Sequence, residues 1–401
     1  MKKLLPLFLL IGLLFYLDHH ILFQYNTHFY AAVLVYLLPF LILFTLLLLA
    51  RYTLMSSDMF NKCMLMLVSC FVTIILVEGI LRLINLNPTY MERIGRSEYQ
   101  SPYWADKKNS FWHLYPPDDS IHFFWGEFNY RRTTNHMGCT ERIVNLQDTS
   151  IHKILSLGDS FTEGIGTAAD SAWPRVLERY MNVCAKDSYL VYNAGIGGSD
   201  PVYEYHLLRN KFWDVKWDAV VFCINNTDIG DCNLRGGMER FKNDTVEFTK
   251  PPLWEPIYAV SHLVRFVVLN IMHYDWTLRT KSENEKVNAK SVREIAYVLK
   301  RAEQELSERG IKMLVVAHPM TYDMIEPHYL QKDFDSVLVH ISVLKPLDLR
   351  PYLRDSQGYN VSNYTNIYWK NDGHFKGIGY QIIGKKIGQE LVSKLHMECN
   401  K

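Results

Sequence analysis

The sequence predicts an α/β domain, built on a parallel sheet covered on both faces and preceded by N-terminal transmembrane helices. Two observations carry this. The first eighty-five residues hold three long apolar stretches, and from Ile151 onward short apolar runs alternate with amphipathic segments. A run that stays apolar, rather than alternating with polar residues, belongs to a strand buried on both faces. Such strands separated by helices form a parallel sheet. A third observation bounds the partners. The 401 residues carry 43 Lys and Arg against 42 Asp and Glu, a formal charge of +1, with no basic tract. This excludes nucleic acid as the main partner, because phosphate binding needs clustered cations.

Residues 1–85 read as a membrane anchor of three helices. Leu4–Leu17, LLPLFLLIGLLFYL, follows Met-Lys-Lys and resembles a signal-peptide core, yet no small-residue cleavage site follows. Extended by Ile21, Leu22 and Phe23, it reads as an uncleaved span. Phe29–Ala50 is twenty-two residues without a charge, against about 20 needed to cross a hydrocarbon core as helix. Cys63–Leu81 is a weaker third candidate, with Glu78 near its end spaced to pair with Arg82. Lys2 and Lys3, and then Arg51 and Lys62, mark cytoplasmic sides, while loop 18–28 has neither Lys nor Arg. Three crossings therefore place everything after residue 85 outside the cytoplasm, as in a multi-pass protein of a bacterial inner membrane.

Residues 86–150 read as a partly irregular connecting region, and 151–401 as the α/β domain. His152–Leu157, Tyr189–Asn193, Ala219–Ile224 and Ile311–Ala317 are the expected strands. Ser171–Asn182, Lys290–Arg309 and Ile378–Leu395 are the expected helices, Gly310 ending the second. Residues 230–289 interrupt the rhythm as an aromatic-rich insertion. Three roles fit it: a lid over the ligand crevice, a peripheral helix on the domain, or a segment against the bilayer. The seven cysteines form no metal-binding spacing. A single bridge, Cys223 with Cys232, is compatible with them but not fixed by spacing.

The chemistry-bearing residues fall at strand ends. ILSLGDSFTEGIG, residues 154–166, ends a strand on Ser160. A serine there is either a helix N-cap or a nucleophile, which needs a general base, an acid to orient that base, and donors for an oxyanion. NAGIGGSD, residues 193–200, puts glycines at a second strand end. Asn225, Asn226 and Thr227 follow a third. NDGHFKGIGY puts Asp372 and His374 in a loop before the last helix. His318 in VVAHPM ends a strand on the same side, where it either touches a ligand or packs in the core.

These blocks together resemble the SGNH, or GDSL-type, hydrolase superfamily over residues 151–395, and RRTTNHMGCTERI is similar to a lead-in of membrane-anchored bacterial members. The resemblance implies a flavodoxin-like three-layer sheet and no metal or organic cofactor. It implies Ser160 as nucleophile, His374 as base and Asp372 as its orienter. The oxyanion donors would be Ser160 and Gly198 through their backbone N–H groups, and either Asn226 or Thr227. The last pair is open because the third block usually reads Gly-x-Asn-Asp. Here that register puts Thr227 where the asparagine is expected, with Asn226 one residue off. The last block also departs from Asp-x-x-His: Asn371 lies three residues before His374 and Asp372 two, the spacing that alginate-acetylating relatives resemble. The implied activity is a serine esterase removing ester-linked acyl groups from extracytoplasmic glycans or lipid-linked sugars. The alternatives are an O-acyltransferase supplied by a membrane acyl-donor partner, and a non-catalytic binding or assembly protein.

Overall fold

The computed structural model describes residues 29–84, 86, 114–124, 126–185, 188–244, 252–275, 278–325, 332–397 and 399. They fall into two compact units, one within Met1–Ala105 and Thr249–Glu285, the other within Asp106–Phe248 and Lys286–Lys401.

In the first unit two apolar helices, α1 (Phe29–Thr53) and α2 (Ser57–Leu83), are joined by a short turn. Ser56 caps α2, its side chain accepting from the Met59 N–H at 3.3 Å. Among the described residues α2 is the one helix long and apolar enough to cross a membrane, with 27 residues and a mean hydropathy of 2.5. The apolar part of α1 is Tyr36–Tyr52, and the expected first span, residues 4–23, lies outside the described residues. Phe40 packs on Phe71 with ring centroids 4.5 Å apart, beside Val33 and Ile75. Glu78 and Arg82 pair as their spacing predicts, at 2.8 Å, and both are buried. The Glu78 carboxylate also accepts from Ser261 Oγ at 2.9 Å and from the His262 and Leu263 N–H groups at 3.0 and 2.9 Å. It thereby satisfies the free donors at the start of helix His262–Phe266. The middle of the 230–289 insertion is thus bound to α2 through the Glu78 carboxylate, which is buried and needs every partner it has.

The second unit opens with an element absent from the sequence expectation. The connecting region contains an antiparallel hairpin, β1 (Ser120–Phe124) and β2 (Asn129–Thr133), with Gly126 at positive φ in its turn. The sheet follows: β3 (His152–Gly158), β4 (Tyr189–Asn193), β5 (Ala219–Ile224), β6 (Lys312–Ala317) and β7 (Leu347–Asp348), all parallel, in the order β4-β3-β5-β6-β7. This is the doubly wound order in which the chain reverses direction between β3 and β5. The two-residue β7 was too short to leave a pattern in the sequence. Alternate side chains of each strand enter opposite cores. Leu155, Leu157, Val220, Phe222 and Val315 face one, and Ile154, Val191, Val221, Leu314 and Val316 the other. Helices close both: α6 (Lys281–Glu308) contributes Val298 and Leu299 to the first core, while α4 (Trp173–Cys184) and α7 (Gly377–Lys394) contribute Leu177 and Ile383 to the second.

The disulfide joins Cys184, at the end of α4, to Cys399, beyond the end of α7. The Cys223–Cys232 pairing is therefore corrected. Strand alternation points Cys223 into one core, while Cys232 packs in the other, and both are free buried thiols.

Candidate active site

The candidate site lies at the carboxyl end of the sheet, beside the switch point between β3 and β5, where open α/β sheets bind ligands. Strand β3 ends at Gly158 with φ +152°; a Cβ there would lie 2.1 Å from Thr162 Oγ1 and 2.8 Å from the Cys223 carbonyl. Only glycine lets the chain turn this sharply against β5. Asp159 then caps the four-residue helix α3 (Ser160–Glu163), accepting from the Phe161 N–H at 2.9 Å. The cap is Asp159, not Ser160, so the Ser160 hydroxyl is released from the local backbone. It is half-buried at the helix start.

More than two hundred residues later, a tight turn brings the last block to it. The Trp369 N–H donates to the His374 carbonyl at 2.8 Å and the Gly373 N–H to the Trp369 carbonyl at 3.0 Å, with Gly373 at φ +86°. This turn presents the imidazole with Nε2 2.7 Å from Ser160 Oγ and Nδ1 2.6 Å from Asp372 Oδ1. A carboxylate can only accept, so Nδ1 carries the proton and Nε2 is free to accept from the serine. Asp372 also accepts from the His374 N–H at 3.2 Å. Asn371 offers its backbone N–H elsewhere, to Glu127 Oε2 at 2.7 Å. Of the two residues that spacing left in competition, Asp372 is the one that meets the histidine.

The oxyanion candidates separate. The turn containing Gly197 lies against Ser160: a Cβ on Gly197 would be 3.8 Å from the Ser160 Cβ. The Gly197 N–H is committed to Glu163 Oε2 at 2.8 Å. Gly198, at φ +75°, follows it in the same turn. Thr227 donates its hydroxyl to Asn225 Oδ1 at 2.7 Å, and its N–H reaches the same oxygen, so the hydroxyl is already spent. Asn226 stands half-buried at the start of helix α5 (Thr227–Arg235), with no side-chain cap bond.

Asn225, read from sequence only as part of an Asn-rich strand end, is fully buried beside Asp159. Its amide donates to Asp159 Oδ2 at 2.8 Å and to His318 Nε2 at 3.0 Å. His318 Nε2 therefore accepts, and Nδ1 donates to the Pro319 carbonyl at 3.1 Å. Burial pulls the His318 imidazole below its ordinary range. His318 is thus a packed neutral histidine, tilted against the Phe161 ring at 4.4 Å; Phe161 in turn backs His374 at 4.7 Å. Glu163 is also fully buried, and burial raises its carboxyl above the ordinary range against the opposing pull of Arg132.

The hairpin residues Glu127, Tyr130 and Arg132 reach the site and were missed from sequence. The available signal was alternation on either side of a glycine, SIHFF and NYRRT around Gly126. Among the described residues no cluster of His, Cys, Asp and Glu could hold a metal ion.

No protein-family model and no curated protein sequence matches the chain. Several solved structures do. An acetyl xylan esterase, AlAXEase, matches at 17% identity over 60% of this chain and 99% of its own, with a TM-score of 0.38. A lipase/acylhydrolase from Enterococcus faecalis matches at 14% identity over 62% and 99%, with a TM-score of 0.37. A protein from Desulfitobacterium hafniense DCB-2, described as lipolytic and of the G-D-S-L family, matches at 12% identity over 59% and 98%, with a TM-score of 0.30.

Proposed function

We propose that the chain is a membrane-anchored serine esterase of the SGNH type. The observation that carries this reading is the relay Asp372–His374–Ser160, with 2.6 and 2.7 Å links, at the carboxyl end of the sheet. Ser160 Oγ attacks an ester carbonyl while His374 Nε2 takes its proton. Asp372 holds the tautomer and stabilises the imidazolium. The oxyanion is met by the Ser160 and Gly198 N–H groups and the Asn226 amide. The imidazolium then protonates the leaving alkoxide, giving an acyl-enzyme that water resolves with His374 again as base.

The substrates proposed are ester-linked acyl groups on glycans or lipid-linked sugars outside the cytoplasm. Two features support that side of the membrane. The Lys and Arg of the short N-terminal loops favour it, and the Cys184–Cys399 disulfide suits an oxidising compartment. The test is release of p-nitrophenol from its acetate by the detergent-solubilised full chain. Wild type turns over and Ser160→Ala does not; equal turnover by the two would overturn the reading.

A further inference from the structure

The β1–β2 hairpin touches both halves of the site. Glu127, in its turn, accepts with a single oxygen from the Asn371 and Asp372 N–H groups, at 2.7 and 2.8 Å. These two amides lie within the turn that carries His374. Tyr130 accepts from the Gly166 N–H at 2.9 Å. Arg132, buried, donates to the carbonyls of Glu163 and Gly164 and, at 2.8 Å, of Thr167. These residues close the loop that follows Ser160. The two loops also meet each other: Trp369 Nε1 donates to the Gly166 carbonyl at 2.8 Å, and Phe128 of the hairpin packs on Trp369.

We propose that this hairpin is a working part of the active site rather than a connection, and that Glu127 is the positioning residue that sets Asp372 and His374 against Ser160. The inference rests on the esterase reading above. The physical reason is that the Asp372–His374 segment is the tip of a loop far from Ser160 in sequence, closed at its base by the Tyr368–Phe375 bridge and joined to no strand of the sheet. A loop with two amides on one external carboxylate loses its freedom to shift along the nucleophile. Arg132 and Tyr130 do the same for the facing loop, so one rigid element sets the spacing of both. A misplacement of about 1 Å costs on the order of 10²-fold in rate, so the clamp acts on kcat and not on substrate binding.

The experiment compares Glu127→Ala and Glu127→Gln in the full chain. The Ala variant removes the acceptor. The Gln variant keeps a carbonyl oxygen for the same two N–H groups. Glu127→Ala is expected to lower kcat about 10- to 100-fold with KM unchanged, and Glu127→Gln to restore most of it. The low-field proton resonance of His374 Nδ1–H, which needs no turnover, is expected to be retained in Gln and broadened or lost in Ala. Wild-type kcat and an unchanged resonance in Glu127→Ala would overturn the inference while leaving the esterase intact. An inactive wild type whose resonance still depends on Glu127 would instead sink the esterase reading alone. Should Glu127→Ala fail to fold, loss of both kcat and the resonance in a folded Glu127→Gln, relative to wild type, also overturns the proposal.

Discussion

Replacing Asn226 and Thr227 one at a time separates the two readings of the third block. The Thr227 hydroxyl sits 2.7 Å from Asn225 Oδ1 and belongs to the turn that ends β5. Thr227→Val removes that bond but leaves the Thr227 N–H on the same oxygen. A part-buried bond of this kind is worth about 1 kcal/mol, so the change is a small fall in thermal midpoint with kcat within a few-fold of wild type. Asn226 has no competing side-chain bond at its helix start. As an oxyanion donor its loss costs about 10²–10³ in kcat, or about 3–4 kcal/mol of transition-state stabilisation, with little change in KM. The assay is steady-state hydrolysis of p-nitrophenyl acetate alongside a thermal melt. A hundredfold loss in Thr227→Val with a near-normal Asn226→Ala would refute the assignment. So would near-normal rates in both, which would leave the backbone N–H groups of Ser160 and Gly198 as the whole hole.

Asp372→Asn should keep the fold and lower kcat by about 10⁴-fold, because an amide no longer enforces the Nδ1–H tautomer; stopped assays over long times measure this. Gly158→Ala should destabilise by on the order of 3–5 kcal/mol, since its Cβ meets Thr162 and the Cys223 carbonyl at a positive φ; a denaturant midpoint close to wild type would contradict the close packing. Cys184→Ser with Cys399→Ser opens a loop spanning 215 residues, which on chain entropy removes up to about 5 kcal/mol. The check is a thermal midpoint that drops in the variant and on reduction of wild type. Glu163 has its carboxyl raised by burial. Its contribution is therefore full below its unfolded value and is lost as pH rises through the folded one. Glu163→Gln keeps an acceptor for the Gly197 N–H, and should exceed wild type in stability at neutral pH by a margin that shrinks on acidification.

Much of the sheet was legible in the sequence because β3 to β6 are continuous apolar runs, and that pattern survives without knowledge of partners. Ser160, Asp372 and His374 were legible because each sits within two residues of a glycine at a strand or helix boundary, where packing does not demand a polar residue. Three things were not legible, each for its own reason. The hairpin is held mainly by its contacts with the site, so its alternation is short and half-exposed. The Cys184–Cys399 bridge depends on how α4 and α7 lie side by side, which no local spacing encodes. Asn225 looked like one asparagine among several. Its role depends on Asp159 and His318, brought together only by strands β3, β5 and β6 lying side by side. The Glu78–Arg82 pair was read correctly from its spacing, but its bonds to Ser261 and Leu263 link residues far apart in the chain.

An esterase of this kind requires Ser160 to be an activated nucleophile. The most direct measurement is reaction of the folded full chain with a fluorophosphonate, followed by peptide mass spectrometry, in wild type and His374→Ala. One adduct is expected, on Ser160, that forms in wild type and is lost in His374→Ala. No adduct on Ser160 in folded protein, or labelling that is indifferent to His374, would contradict it.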